Sequence, residues 1–356
     1  MSAATGALPP SRLRAESPLR RIASRPEFGA LIGAIAVFLV FGILGFSSSA
    51  NLGFQGGFLS LGGAAGYLEL AAQVGILGAT VTLLMIAGEF DLSVGAMIGA
   101  SGMILALLLG TYGLPAYVAV PATFAFALAI GALNGWLVIR TGLPSFIVTL
   151  GTQLILRGGT IAVTRAITAQ TIVTLPASAK DDPLLKLFSA NLLTIGTARF
   201  NIELLWWLGV VFVASWVLLR TRFGNWIFAV GGSAQAARYV GVPVPRVKIM
   251  LFMATAASAA LFACITVPQV GSANVLNGTG FEFQAIITAV VGGTLLTGGY
   301  GSVIGSALGA LILGMTNLGI FYAGINTDWY QVVLGLLLLM AVLVNSYVLR
   351  RASGAR

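Results

Sequence analysis

Glu89 and Asp91 stand in the octet Gly88-Glu89-Phe90-Asp91-Leu92-Ser93-Val94-Gly95, between uncharged runs over residues 70–88 and 92–139. A carboxylate in hydrocarbon costs several kcal/mol, about 2.5–3.5 kcal/mol on the insertion scale, unless it is paired or meets water. Such groups relay protons or cations, or accept hydrogen bonds along a solute path. Two placements are open for the octet. One is a turn at the membrane surface, where charge costs little. The other is a broken helix lining a polar path. Gly88 and Gly95 suit a bend and close backbone approach in both.

Other polar side chains are sparse: Gln73, Asn134, Gln153, Arg157, Glu282, Gln284 and Asn317 interrupt apolar runs. Neutral solutes are held by hydrogen-bonding groups with little net charge, which favours the amides over the carboxylates. Against that, each group can serve as interhelical glue worth about 0.6 kcal/mol.

Composition excludes several other chemistries. The 356 residues include no histidine and one cysteine, Cys264, so no disulfide forms within the chain. His- or Cys-built metal centres and a Ser-His-Asp triad are excluded on the same ground. No Gly-x-x-x-x-Gly-Lys-Ser/Thr loop occurs, so the chain does not hold ATP in that manner and no cofactor of its own is expected. A formal charge of +9 would suggest nucleic acid in a soluble protein. Here 58% of residues are hydrophobic and 8% charged, against about 25% charged in soluble domains. The basic residues instead act as orientation signals, and no nucleic-acid partner is expected.

Long apolar runs satisfy their backbones only as helices in lipid, so the expected fold class is an all-α polytopic membrane protein. Residues 1–28, with Arg12, Arg14, Arg20, Arg21 and Arg25, form a cytoplasmic basic tail. The transmembrane domain covers residues 29–349. Its first helix is expected over residues 29–47 and its second over 67–87. Residues 92–139 are too long for one span and suit two, with a turn at 110–115. A fifth helix covers residues 144–164. Residues 165–201 make a periplasmic loop, and the next helix covers 202–219. The basic, acid-free segment 221–248 is a cytoplasmic loop. Residues 249–267 span again, and 268–282 form an outer segment. Residues 283–327 suit two spans broken at 298–301. The last helix covers 329–349, before a short cytoplasmic tail at 350–356. The sum is about ten transmembrane helices with both termini cytoplasmic.

The basic loop contains Gly231-Gly232-Ser233-Ala234-Gln235-Ala236-Ala237-Arg238-Tyr239-Val240-Gly241-Val242-Pro243. Ser233 suits a helix cap, alanine and glutamine favour the helix, and Gly241 with Pro243 stop it. A short helix on the cytoplasmic face follows, either a plain interfacial helix or a rigid knob for a partner's groove.

The octet resembles the Gly-Gly-Ile-Asp-Leu-Ser-Val-Gly signature of ABC importer permeases of the ribose, xylose and arabinose type, with Glu89 and Phe90 replacing glycine and isoleucine. The basic loop resembles that family's EAA-type coupling segment, Gly-Gly-Asn-x-Glu-Ala-Ala-Arg with a later glycine. Ala236, Ala237, Arg238 and Gly241 fit it, while Ser233 and Gln235 replace its asparagine and glutamate. Asn134-Gly135 and Pro144-Ser145-Phe146-Ile147-Val148-Thr149-Leu150-Gly151-Thr152 match further segments, followed by Arg157-Gly158. Gly280-Phe281-Glu282, Gly292-Gly293-Thr294 and Gly298-Gly299-Tyr300-Gly301-Ser302 continue the match in order. The likeness covers residues 65–320.

This resemblance implies a permease subunit of the second carbohydrate-uptake subclass, branched-chain-permease-like, in the bacterial inner membrane. It implies a second permease subunit, either another copy or a sister chain. It also implies a periplasmic sugar-binding protein delivering a monosaccharide or small polyol. A cytoplasmic ABC ATPase would dock on Gly232, Ser233, Gln235, Ala236, Ala237, Arg238 and Gly241, and would use the ATP. Glu89, Asp91, Ser93, Asn134, Gln153 and Asn317 become candidates for the path or gate. Glu282 becomes an outer-surface residue that either makes periplasmic contact with the binding protein or holds the adjoining turn. The competing expectation is a gradient-driven secondary transporter or channel with Glu89 and Asp91 as its relay. An integral membrane enzyme is disfavoured, since clustered ionisable side chains are lacking.

Overall fold

The computed structural model describes residues 26–52 and 57–352. The basic tail over residues 1–25, and residues 353–356 of the C-terminal tail, lie outside the described residues. The helices are α1 (Pro26–Leu52), α2 (Leu61–Ile86), α3 (Val94–Ala106), α4 (Ala116–Thr141), α5 (Ser145–Thr168), α6 (Pro183–Ser189) and α7 (Glu203–Arg220). They continue with α8 (Arg222–Gly232), α9 (Ala234–Tyr239), α10 (Val244–Val270), α11 (Phe281–Val291), α12 (Val303–Tyr322) and α13 (Tyr330–Ala352). A π turn, Leu107–Thr111, prolongs α3. Four short strands complete the set: β1 (Ile172–Thr174), β2 (Asn191–Ile195), β3 (Ala198–Asn201) and β4 (Ser272–Asn274).

Local chemistry sets most of the boundaries. Ser60 caps α2 by accepting from the Gly63 amide at 3.0 Å, and Ser302 caps α12 by accepting from Gly305 at 3.2 Å. Pro115, Pro144 and Pro243 immediately precede α4, α5 and α10, and Gly142 and Gly271 close α4 and α10 in the left-handed conformation. Asp182 caps α6 through the amides of Leu184 and Leu185, with Pro183 in the first turn.

Nine spans among the described residues are long and apolar enough to cross a membrane. The tenth apolar helix, α11, is about 16 Å long, half of the roughly 30 Å hydrocarbon core. Residues 283–327 therefore hold one half-helix and one full span instead of two full spans. The half-helix stops where Gly292 ends its last turn and Gly293 takes φ +91°. Before it, residues 275–280 are non-helical turns.

α2, α3, α10 and α12 form the interior. α10 packs on α4, α3 and α2, and α12 packs on α2, α1 and α11. These helices are apolar on all sides, as buried helices are. α1, α5 and α13 expose large apolar side chains such as Ile35, Leu39, Leu154, Ile155, Leu336 and Leu343, the surface lipid requires. Where α12 crosses α2, a Cβ on Gly314 would lie 2.3 Å from the Tyr67 carbonyl oxygen. Gly314→Ala is expected to overpack this crossing by about 1–3 kcal/mol, lowering the thermal midpoint of the detergent-purified chain. An unchanged midpoint would mean that the crossing relaxes freely.

One end of the bundle carries α8 and α9. At the other end, β1 pairs antiparallel with β4 (Val173↔Ala273), and β2 pairs with β3 (Leu193↔Phe200). The long loop over residues 165–201 is thus a small ordered cover. The Phe188 and Trp206 rings stack there at 5.2 Å, and Trp206 Nε1 donates to the Leu187 carbonyl at 3.0 Å.

Candidate functional site

α2 ends at Ile86, and Gly88, at φ +83°, turns the chain back into the bundle. Residues 89–93 then run without regular structure until α3 begins at Val94. Their amides are received by hydroxyls at the start of α5. Phe90 N–H donates to Ser145 Oγ and Leu92 N–H to Thr149 Oγ1, each at 3.0 Å. Irregular backbone is tolerated at depth only when it finds such partners in protein or water.

Asp91 is 1% exposed. Its Oδ1 accepts from Ser93 N–H at 2.9 Å and Ser93 Oγ at 2.6 Å, and its Oδ2 accepts from Thr255 Oγ1 at 2.6 Å. Asn134 Nδ2 donates to Ser93 Oγ at 3.0 Å, and Thr152 Oγ1 donates to Asn134 Oδ1 at 2.7 Å. One chain of donors therefore runs from α5 through α4 and α3 to Asp91, and α10 closes it from the far side. Asn134 lies about 10 Å inside the Thr141 end of α4, and Thr255 about 16 Å inside the Val244 end of α10. Asp91 and Ser93 are thus buried inside the bundle, in the irregular stretch between α2 and α3. Glu89 stays near the α9 end, where it pairs with Lys248 in the second turn of α10.

A second cluster lies against the first turn of α3. Gln153 Nε2 donates to Glu282 Oε1 at 2.9 Å, and the Gly280 N–H donates to Glu282 Oε2 at 3.1 Å. Arg157 Nη1 donates to the carbonyls of Val275 and Asn277, at 3.3 and 3.1 Å, and its charge faces Glu282. Gly95 is needed at this contact, since a Cβ there would meet the Glu282 carboxylate at 1.9 Å. Glu282, expected at the outer surface, is instead 3% exposed and level with Gln153, about 12 Å along α5. Residues 275–280 fold back into the bundle and carry it there. Sequence shows only a Gly- and Asn-rich stretch, and such a stretch looks the same at the surface and at depth.

The basic loop folds as α8 followed by α9. Ser233 caps α9 by accepting from Ala236 N–H at 3.2 Å, and Gly241, at φ +84°, ends it. Ala237 is buried against the bundle, while Gln235, Ala236, Arg238, Tyr239 and Val240 face outward. Gln235 Nε2 donates to Tyr239 Oη at 3.3 Å along the outer face. Among the described residues, no three His, Cys, Asp or Glu side chains are grouped to hold a metal.

Residues 63–342, from α2 into α13, match the family model described as branched-chain amino acid transport system / permease component. The chain belongs to this permease family. The ribose import permease protein RbsC of Escherichia coli (strain K12) is 34% identical over 280 residues, covering 78% of this chain and 84% of that one. The fructose import permease protein FrcC of Rhizobium meliloti is 33% identical over 288 residues, 80% of this chain and 78% of that one. The xylose transport system permease protein XylH of Escherichia coli (strain K12) is 31% identical, with 84% and 88% covered. No solved structure matches. The permease is thus a multi-pass transport protein of the bacterial inner membrane.

Of its six path candidates, the permease joins Asp91, Ser93 and Asn134 directly and sets Gln153 beside them with Glu282. Glu89 turns away to Lys248, and Asn317 sits on α12 beside Tyr330 of α13, apart from both clusters. Thr255 was not legible as a site residue, because one threonine in an apolar helix carries no local mark. Ser145, Thr149 and Thr152 stood in a matched segment, but their role as acceptors and donors for the octet and Asn134 appears only in three dimensions.

Proposed function

We propose that this chain is the membrane-spanning permease subunit of a binding-protein-dependent ABC importer for a monosaccharide or related small polyol. In this reading the α9 end faces the cytoplasm, both termini lie on that side, and residues 165–201 face the periplasm. α9 is the docking knob for a separate ATPase, which supplies the ATP chemistry, and residues 221–248 form the coupling loop. A periplasmic sugar-binding protein delivers the solute, and a second permease subunit completes the channel. The Asp91–Ser93–Asn134 chain and the Gln153–Glu282 pair border the path, offering hydrogen bonds with little free charge. Glu282 acts from inside the bundle.

The observation that carries the reading is α9 itself. It is a capped, six-residue helix anchored by Ala237, presenting an outward face that nothing among the described residues covers. The relatives named for ribose import, fructose import and xylose transport support the substrate class. Co-purification of the chain with a cytoplasmic ABC ATPase tests the docking. Arg238→Glu is expected to weaken that association roughly tenfold or more by reversing the charge on the outward face of α9. Gly241→Trp is expected to do the same, because tryptophan cannot easily hold φ +84°. Undiminished docking of both variants would remove α9 from the interface. Uptake into proteoliposomes should require ATP and survive an uncoupler. Collapse with the uncoupler would favour the gradient-driven alternative at Glu89 and Asp91.

A further inference from the structure

Three segments far apart in sequence meet backbone to backbone at the α9 end of the bundle. α8 approaches its end at Gly231, where a Cβ would lie 1.7 Å from the Ile86 carbonyl oxygen and 2.6 Å from the Gly299 nitrogen. The Gly299 N–H donates to that same Ile86 carbonyl at 2.8 Å. A Cβ on Gly298 would lie 2.9 Å from Gly88 Cα and 3.2 Å from the Gly231 carbonyl oxygen. No side chain separates the end of α8, the start of the octet and the glycine loop over residues 292–302.

Each of these segments leads to something already described. α9 follows Gly231 after Gly232 and Ser233. The octet runs from Gly88 to Asp91 and Ser93. The glycine loop is continuous with α11, whose far end holds Glu282 against Gly95 and Gln153. A displacement of α9 thus has one point of contact from which it reaches both buried clusters.

We propose that Gly231, Gly298 and Gly299 are positioning residues that transmit movement of α9 to the two clusters, a role that rests on α9 being the docking helix. They touch no solute. Their function is the absence of a side chain. A Cβ at this contact would force the three backbones apart and loosen the Gly299–Ile86 hydrogen bond, whereas directly packed, hydrogen-bonded backbones resist compression.

The test uses the assembled transporter, permease with its ATPase and binding protein, in proteoliposomes, with ATP hydrolysis and solute uptake measured together. Gly231→Ala is expected to keep hydrolysis within about twofold while uptake per ATP hydrolysed falls roughly tenfold. Gly209→Ala, on α7 where a Cβ meets nothing within 4 Å, is expected to keep the wild-type ratio. An unchanged ratio in Gly231→Ala overturns the proposal, and so does a fall of hydrolysis in proportion to uptake. If that variant does not assemble, hydrogen exchange on the wild-type transporter decides. A non-hydrolysable ATP analogue should change exchange over residues 84–93 and 292–302 together with 231–241. A change confined to 231–241 overturns the transmission. Failure of the wild-type chain to retain any ATPase, seen directly in the purification, would remove the docking reading and this role with it.

Discussion

Asp91→Ala is expected to abolish uptake and to destabilise the detergent-purified permease by about 1–3 kcal/mol for each buried donor left without an acceptor. The carboxylate is the terminal acceptor for the Ser93 amide and hydroxyl and for the Thr255 hydroxyl. With alanine there, Ser93 and Asn134 lose the acceptor that orients them, and the end of the octet comes free of α10. Asp91→Asn is expected to behave very differently. Its Oδ1 can still accept both donors from Ser93, and its Nδ2 can donate to Thr255 Oγ1. The threonine hydrogen then turns to the Phe252 carbonyl, 2.9 Å from Oγ1. Only the second Nδ2 hydrogen is left without an acceptor in this network, so stability should fall by about 1–3 kcal/mol, less than in the alanine variant. Uptake should persist. A stable Asp91→Asn protein with no uptake would show that the charge itself is used, as in an ion relay, and would count against the anchoring role.

Arg157→Ala is expected to release residues 275–280 from α5. The guanidinium is the donor for two carbonyls of a non-helical segment inside the bundle, and hydrogen bonds to a charged group contribute about 1.5–3 kcal/mol each. It also faces Glu282. Amides over residues 275–291 should exchange at least about tenfold faster, while those of α2 and α12 keep their protection. Uptake should fall with it, because α11 would no longer be held at Gly95. Arg157→Lys should recover part of the protection, since an ammonium can also donate to both carbonyls from one nitrogen but from a shorter side chain that sets it in a different position. Unaltered exchange over residues 275–291 in the alanine variant would show that the segment is held by packing alone.

The legible features were those written in neighbouring residues. The turn between α3 and α4, the cap at Ser233 and the stop at Gly241 each need only a few residues of context, and each formed as expected. α11 illustrates the limit. An apolar run beside a glycine-rich break is the same string for a half-helix at depth as for a full span meeting the surface, and only its packing against α2, α12 and α3 separates them. Glu282 went astray for the same reason. Asp91 was legible as an anomaly but not as an anchor, because Thr255 meets it from 164 residues away.

By itself, the amino-acid order determined that this chain lives in lipid as about ten apolar helices, where several of the turns and caps between them fall, and which few polar groups need an explanation. Those are consequences of backbone hydrogen bonding and hydrophobicity, which act along the chain. Only the tertiary structure decided which polar groups satisfy one another, how deep the octet and α11 lie, and that three glycine loops touch. Depth and partnership depend on helices packed against each other, and such contacts leave no local trace in composition or spacing.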